Sequence, residues 1–371
     1  MQAEHEQARP DEAPRVLLSA VALDQPMGGV RRQASELWPR VAARLIGGGG
    51  GMDVLCPAGG LPSELEDRLP RGVRRIPSDV PASGPLARGV TEGHAIRGAL
   101  AKHGPYALWH TGHFPVPRRT KVPFTCLIHD LRSLKQPSGL ARRLFARNLL
   151  GSAFRRAARV VTVSEAVALE LRHHFPALEP LAIPHGADHV PVRPREPAED
   201  AKLLFFGHLE PRRNPELLVH ALHADPGLPD LCFVGRPKGD MDERVLAVAH
   251  RLGVAGRVEL RGPVPESDLP ELFAKAACLV LPSRVEGFGL PAVEALRARL
   301  PLAIANVPAL VEATPPGTPR FDPEDPAACA AAVRAALART RAELDAGAEY
   351  AQRYSWDESA ARWVALFREL T

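Results

Sequence analysis

No two of the five cysteines (Cys56, Cys126, Cys232, Cys278, Cys329) lie close together in the 371-residue chain, and no CxxC or Cys/His finger spacing occurs. That argues against a disulfide framework or a zinc ribbon and leaves buried free thiols as the expectation. No apolar run reaches the roughly 18 residues that a spanning helix needs. The opening stretch, MQAEHEQARPDEAP, has no apolar core of the kind a secretory signal carries. A formal charge of +4 is too small to argue for a nucleic-acid partner. What is present is a globular composition, 45% hydrophobic and 24% charged. The expectation is a cytoplasmic protein whose only membrane contact is peripheral, at the inner face.

Along the chain, short apolar runs alternate with helical periodicity. Strands are expected at VLLSAV (16–21), MDVLCP (52–57), YALWH (106–110), FTCLIH (124–129), RVVTVS (159–164) and PLAIPHG (180–186). Helices are expected over 28–45, 87–103 and 138–157. VPVRPREPAEDA (190–201) has prolines, charges and no apolar period, which reads as a linker. The alternation then restarts with KLLFFG (202–207), LCFVG (231–235), VEL (258–260), CLVLP (278–282) and PLAIA (301–305). Strands separated by helices imply parallel sheets with crossover helices. The expected fold is therefore α/β, with two doubly wound Rossmann-like domains. The expected boundaries are a disordered tail over 1–14, an N-terminal domain over 15–190, a linker over 191–200 and a C-terminal domain over 201–354. Residues 355–371 are expected to form a helix that returns to the N-terminal domain. The default ligand site of such a pair is the inter-domain cleft, beyond the carboxyl ends of the strands.

LVLPSRVEGFGLPAVEALRARLP (279–301) is the most informative stretch. A buried strand ends at Pro282, a loop carries Gly287 and Gly289, and a helix starts near Pro291, a residue suited to a first helical position. The amides of Phe288, Gly289 and Leu290 would then sit at a helix N-terminus, where an anion is favoured. Glu286 lies in the loop and Glu294 in the helix's first turns. Carboxylates there suit a hydroxyl-rich ligand, because each can accept paired hydrogen bonds from vicinal OH groups. The bland alternative is one tight turn and a solvated glutamate near a favourable dipole.

This segment resembles the E-x7-E signature of the retaining family 4 glycosyltransferases, with Glu286 and Glu294 as its ends and GFGLP following the first. GGVRR (28–32), HD (129–130), TVSE (162–165), IPHGAD (183–188), FFGHLEPRRN (205–214), PALVE (308–312) and FDPEDP (321–326) extend the likeness over about 15–371. WHTGHFPVPRRTKVPFTCLIHDL looks like the subgroup that builds bacterial surface polysaccharides. The resemblance implies the GT-B architecture and a nucleotide-diphospho-sugar donor. It also implies a glycan or lipid-linked acceptor and retention of anomeric configuration. By the same likeness Glu294 would hold the ribose and Glu286 the sugar hydroxyls. The amides of Gly287, Phe288, Gly289 and Leu290 would contact sugar and diphosphate, and His129 would sit beside the transferred sugar. Gly28 and Gly29 would let a phosphate or acceptor lie against the first helix. The relatives carry an arginine and a lysine where this chain has His208 and Arg213. Arg213 suits a phosphate. His208 is a departure that would make donor binding pH-dependent if it served as the cation, with Arg212 a partial substitute. No cofactor and no metal are expected, since this pattern uses arginine, lysine and helix dipoles in place of a cation.

Other features stay open. His110 and His113 could line the acceptor side, and His185 could approach either substrate. The pentaglycine Gly47–Gly51 reads as a flexible connector. Arg299 stands where the pattern ends its helix on a glycine, often with φ > 0. Eight basic residues and no acid between 131 and 160 make helix 138–159 a candidate for contact with an anionic membrane, or simply a solvated face. Two other functions remain: a nucleotide-sugar epimerase on the same fold, and a non-catalytic subunit that binds glycan or a partner.

Overall fold

In the computed structural model, residues 13–23, 28–80, 85–112, 120–131 and 140–371 are described, without the side chains of 85–90 and 140–146. They divide into two units. Unit 1 comprises the chain to Val163, Val167–Pro184 and Trp356–Thr371; unit 2 comprises Ser164–Ala166 and His185–Ser355.

The strands of unit 1 are β1 (Arg15–Ser19), β2 (Gly51–Leu55), β3 (Arg74–Ile76), β4 (Leu108–Thr111), β5 (Phe124–Ile128), β6 (Arg159–Thr162) and β7 (Leu181–Ala182). They form one parallel sheet in the order β3-β2-β1-β4-β5-β6-β7, with Val16 opposite both Met52 and Leu108. The helices are α1 (Gly28–Gly47), α2 (Ser63–Glu66), α3 (Pro85–His103), α4 (Leu140–Phe154) and α5 (Glu165–His174), whose first two residues count with unit 2. Central strands buried on both faces read as near-continuous apolar runs, which is why β1, β4 and β5 were legible. β3 and β7, three and two residues long, carry too little pattern to be told from loop.

Unit 2 holds a second parallel sheet of β8 (Leu203–Phe206), β9 (Leu231–Val234), β10 (Val258–Gly262), β11 (Cys278–Leu281), β12 (Leu302–Ala305) and β13 (Arg320–Phe321), ordered β10-β9-β8-β11-β12-β13. Around it lie α6 (Pro215–Ala224), α7 (Met241–Arg251), α8 (Leu269–Lys275), α9 (Leu290–Arg297), α10 (Pro308–Ala313), α11 (Pro326–Leu337) and α12 (Arg341–Ala351). The strand order reverses at β1/β4 in unit 1 and at β8/β11 in unit 2. Loops leaving the carboxyl ends of strands at such a reversal diverge and leave room for a ligand.

The last helix, α13 (Trp356–Glu369), belongs to unit 1 and packs on α1. Trp363 and Trp38 meet edge to face at 5.4 Å, and the His110 ring lies 4.7 Å from each of them. His110 is fully buried, with Nδ1 2.8 Å from Thr125 Oγ1. It is a core residue, not part of an acceptor surface. His113 lies outside the described residues.

Three further expectations change. The stretch 191–200 is held on unit 2: Arg195 donates to the carbonyls of Phe273 and Ala276 at 2.9 and 2.7 Å, and the Glu196 amide donates to Ala274 O at 3.2 Å. A guanidinium at the carboxyl end of α8 completes that helix's free acceptors, so prolines and charge mark an ordered strap here. The chain passes between units at Pro184/His185 instead. The pentaglycine is a hydrogen-bonded turn, with the Gly48 and Gly50 amides donating to Arg44 O and Leu45 O at 3.1 and 2.9 Å. A Cβ on Gly50 would stand 2.0 Å from Ala13 O, so glycine is needed for close backbone approach. The cysteine expectation, by contrast, holds: all five are buried free thiols. Burial pushes the Cys56 thiol up to about 11 and that of Cys329 up to about 12.

The basic helix falls partly outside the described residues. In the described part, Leu150, Ala153 and Phe154 are buried, and Phe154 meets Phe175 edge to face at 5.1 Å. These apolar residues therefore face the interior of unit 1 and not outward. Among the described residues, no helix is long and apolar enough to cross a membrane.

Candidate active site

At the reversal in unit 2, two neighbouring strands end in loops that continue their pairing. Gly207 N donates to Val234 O at 2.9 Å, Leu209 N to Arg236 O at 3.0 Å and Lys238 N to Leu209 O at 2.9 Å. A short turn at Pro211–Arg213 follows, closed by Asn214 in the left-handed conformation at φ 54°, and α6 begins. This geometry gathers Glu210, Arg212, Arg213 and Lys238. Arg212 Nη2 lies 2.6 Å from Glu210 Oε1, Arg213 Nε lies 3.6 Å from the same oxygen, and Lys238 Nζ donates to Glu210 Oε2 at 2.9 Å. Burial raises the Glu210 carboxyl. The Lys238 hydrogen bond and the charges of Arg212, Lys238 and Arg213 more than offset it, so the net direction is down.

The loop after β11 lies against this cluster. Ser283 Oγ donates to Glu286 Oε1 at 2.9 Å, while Arg212 and Arg213 each place an Nη1 3.7 Å from one Glu286 oxygen. Arg212 also donates to Val285 O at 3.2 Å and accepts the Arg284 amide on its own carbonyl at 2.8 Å. It is thus committed to joining the two loops. Gly287 O accepts from Ser164 Oγ at 2.6 Å. Among the described residues, the amides of Gly287, Phe288 and Gly289 have no hydrogen-bond partner. Gly289 caps α9 at φ 88°, a conformation that favours glycine, and Leu290 and Pro291 open the helix. Phe288 is buried against the His185 ring at 5.1 Å and Tyr354 at 5.4 Å, so His185 acts on the loop through packing.

Glu294 lies on α9 and is 4% exposed. Its Oε1 is 3.0 Å from Nε2 of the equally buried His189. Its Oε2 is buried with no hydrogen-bond partner. A buried carboxylate oxygen left unmatched costs stability unless something completes it. His208 sits beside the cluster. Burial first, then the charge of Lys238, pushes its imidazole below the ordinary value of 6.5, and Arg213 acts in the same direction. The hydrogen bond to the Arg236 backbone and the charge of Glu210 act the other way. In the free protein these surroundings therefore favour the neutral imidazole.

In unit 1, Gly28 and Gly29 open α1 as exposed residues, and a Cβ on Gly29 would meet nothing within 4 Å. His129 follows β5 and lines a small pocket with Ser19, Gln33, Trp38 and Gly112. Gln33 is 3% exposed, and its Nε2 has no hydrogen-bond partner. Ser19 Oγ donates to the fully buried Glu92 at 3.0 Å. Sequence reasoning missed Gln33, Lys238, Glu210, Ser164 and His189. It also passed over an Asp-x-Asp triplet, Asp240–Met241–Asp242. That triplet opens α7, with Asp240 at the cap and Met241 buried. Among the described residues, no group of three or more His, Cys, Asp or Glu could hold a metal ion.

Two parallel doubly wound units, each with its polar groups beyond the carboxyl ends of its strands, define the class of two-domain Rossmann-like proteins. The comparisons narrow this. Residues 189–353 match the family described as glycosyl transferases group 1, and residues 27–190 match glycosyltransferase family 4. The D-inositol 3-phosphate glycosyltransferase of Streptomyces bingchenggensis is 30% identical over 321 residues, 74% of this chain and 70% of that protein. Its counterpart from Streptomyces scabiei is 31% identical, covering 74% and 71%. Among solved structures, sucrose-phosphate synthase from Thermosynechococcus elongatus superimposes with a TM-score of 0.79 at 21% identity, over 96% of this chain and 99% of that one. Anabaena HepE in complex with UDP and glucose gives 0.70 at 17%, over 95% and 99%. The structural likenesses carry the fold, which is GT-B. The chain belongs to the group 1 and family 4 glycosyltransferases, and it is a glycosyltransferase.

Proposed function

We propose that this glycosyltransferase takes its sugar from a nucleotide-diphospho-sugar and passes it, with retention and without an essential metal, to a glycan or lipid-linked acceptor. One observation carries the reading: Glu294 Oε2 is a buried, unpartnered acceptor on α9, the helix opened by three unpartnered amides, and the loop carrying those amides also sets Glu286 3.7 Å from Arg212 and Arg213. A ribose hydroxyl would complete the carboxylate, and a diphosphate would complete the amides and Arg213. Glu286 would receive the sugar hydroxyls. Retention would follow from front-face attack, in which the acceptor hydroxyl bonds to the anomeric carbon as the sugar–phosphate bond breaks. The departing diphosphate oxygen takes the hydroxyl proton. The protein then supplies position and charge stabilisation and needs no separate carboxylate base. His129, in the pocket of unit 1, would orient the reacting sugar.

The names of the curated relatives favour a second reading of the acceptor, D-inositol 3-phosphate. A thermal-shift screen over UDP-, GDP-, ADP- and TDP-sugars selects the donor, since a ligand of the folded state raises its stability. Turnover with that donor and either acceptor class, with the product anomer read by NMR, tests the rest. Full activity in EDTA is expected. Loss of turnover in EDTA with recovery on adding Mg²⁺ or Mn²⁺, or an inverted product, would overturn the corresponding part of the reading.

A further inference from the structure

The polar cluster at the ends of β8 and β9 has a charge balance that depends on one residue. Arg212 and Arg213 bring two positive charges, which Glu210 and Glu286 cancel. The neutral His208 adds nothing. Lys238 alone makes the group net positive. It comes from the loop after β9, where the hydrogen bond from its own amide to Leu209 O fixes its backbone beside Glu210. Arg212 and Arg213 have side chains only 13% and 15% exposed, and Arg212 is tied to Val285 O. The Lys238 side chain is 47% exposed, and of these groups it reaches only Glu210 Oε2. A flexible four-carbon stem carrying a half-exposed ammonium can exchange one anionic partner for another.

We infer that Lys238 is a diphosphate-binding residue of the donor site, held by Glu210 in the free protein and transferred to a phosphate oxygen when the donor enters. The inference rests on the proposed nucleotide-diphospho-sugar donor. Glu210 has the complementary role of a positioning residue. One oxygen aligns both guanidinium groups, the other parks the ammonium, and a dianionic ligand releases the ammonium without leaving a bare carboxylate, because Arg212 and Arg213 stay on it.

The test is calorimetry of the full chain with UDP, GDP and ADP, then with the nucleoside matching the one that binds. Lys238→Gln is expected to raise the Kd for that nucleoside diphosphate about tenfold or more, as for the loss of a charge-assisted contact. Affinity for the nucleoside should stay within about twofold, Lys238→Arg should recover most of the diphosphate affinity, and the salt dependence should flatten in Lys238→Gln. Arg213→Gln separates the two claims. If the wild type binds a nucleoside diphosphate and Arg213→Gln loses it while Lys238→Gln stays within twofold of wild type, the Lys238 assignment falls and the donor reading stands. If the wild type binds none of the three, both fall.

Discussion

Glu294→Gln separates function from stability in a single atom exchange. In the free protein the carboxylate is 4% exposed, one oxygen lies 3.0 Å from His189 Nε2 and the other has no partner. Burying a charge is costly, and only one oxygen is compensated here. The amide keeps the shape and an oxygen for His189 while removing the charge that the fold leaves half matched. The free variant should therefore be at least as stable as wild type, with a melting temperature equal or higher. Ligand binding should move the other way. The unpartnered oxygen is the one a ribose hydroxyl would reach, and losing a hydrogen bond to a charged acceptor costs about 1.5–3 kcal/mol. That corresponds to roughly 10- to 150-fold in Kd. Calorimetry with the plain nucleoside diphosphate measures it, and Glu286→Gln is the control. Glu286 is already matched by Ser283, Arg212 and Arg213, so that variant should keep nucleotide affinity and lose sugar-dependent turnover. If Glu286→Gln abolished nucleotide binding and Glu294→Gln did not, the assignment of the two carboxylates would be reversed. A marked loss of stability in Glu294→Gln would refute the argument from the unmatched oxygen.

Three further outcomes follow from individual contacts. Burial and Lys238 hold the His208 imidazole below its ordinary value, so its contribution to stability is complete above about pH 6.5 and falls as pH drops below that, where the unfolded chain takes up the proton first. His208→Gln should flatten that acid limb in urea midpoints collected from pH 5 to 8, and an unchanged limb would count against it. The Tyr106 hydroxyl donates to the buried Asp53 at 2.6 Å, on the oxygen that also holds Arg15 at 2.9 Å, so Tyr106→Phe should cost about 1.5–3 kcal/mol in denaturant unfolding; a change under 0.5 kcal/mol would refute it. Arg299 takes the left-handed conformation at φ 58° and keeps an ion pair with Asp345. Glycine there removes strain of roughly 1 kcal/mol while giving up only a solvent-screened surface ion pair, and Arg299→Gly should leave stability unchanged or slightly raised under heat denaturation.

The placement of the two carboxylates was legible because it follows from local spacing: a strand end, a glycine loop and a helix start fix Glu286 and Glu294 on consecutive elements. The strands at the centre of each sheet were legible for the same kind of reason, as apolar runs bounded by glycine and proline. The rest depends on distance along the chain. Ser164 reaches Gly287 across 123 residues and Lys238 reaches Glu210 across 28. Neither pairing leaves a periodicity; for Lys238 and Glu210 it is the parallel pairing of β8 with β9 that sets the two loops side by side. His110 looked like a surface ligand because it ends a strand, but α13, more than two hundred residues later, supplies Trp363 and Phe367 to close over it. Arg195 looked like linker charge because its acceptors, the last carbonyls of α8, cannot be seen from its own neighbourhood. His208 shows the same limit inside a recognisable motif. The spacing places a titratable group beside the expected diphosphate, but whether it carries charge is set by burial and by Lys238 on the neighbouring strand's loop. Thirty positions later and one strand over, Lys238 brings a half-exposed ammonium to the same pair of loops, held there by Glu210 at 2.9 Å.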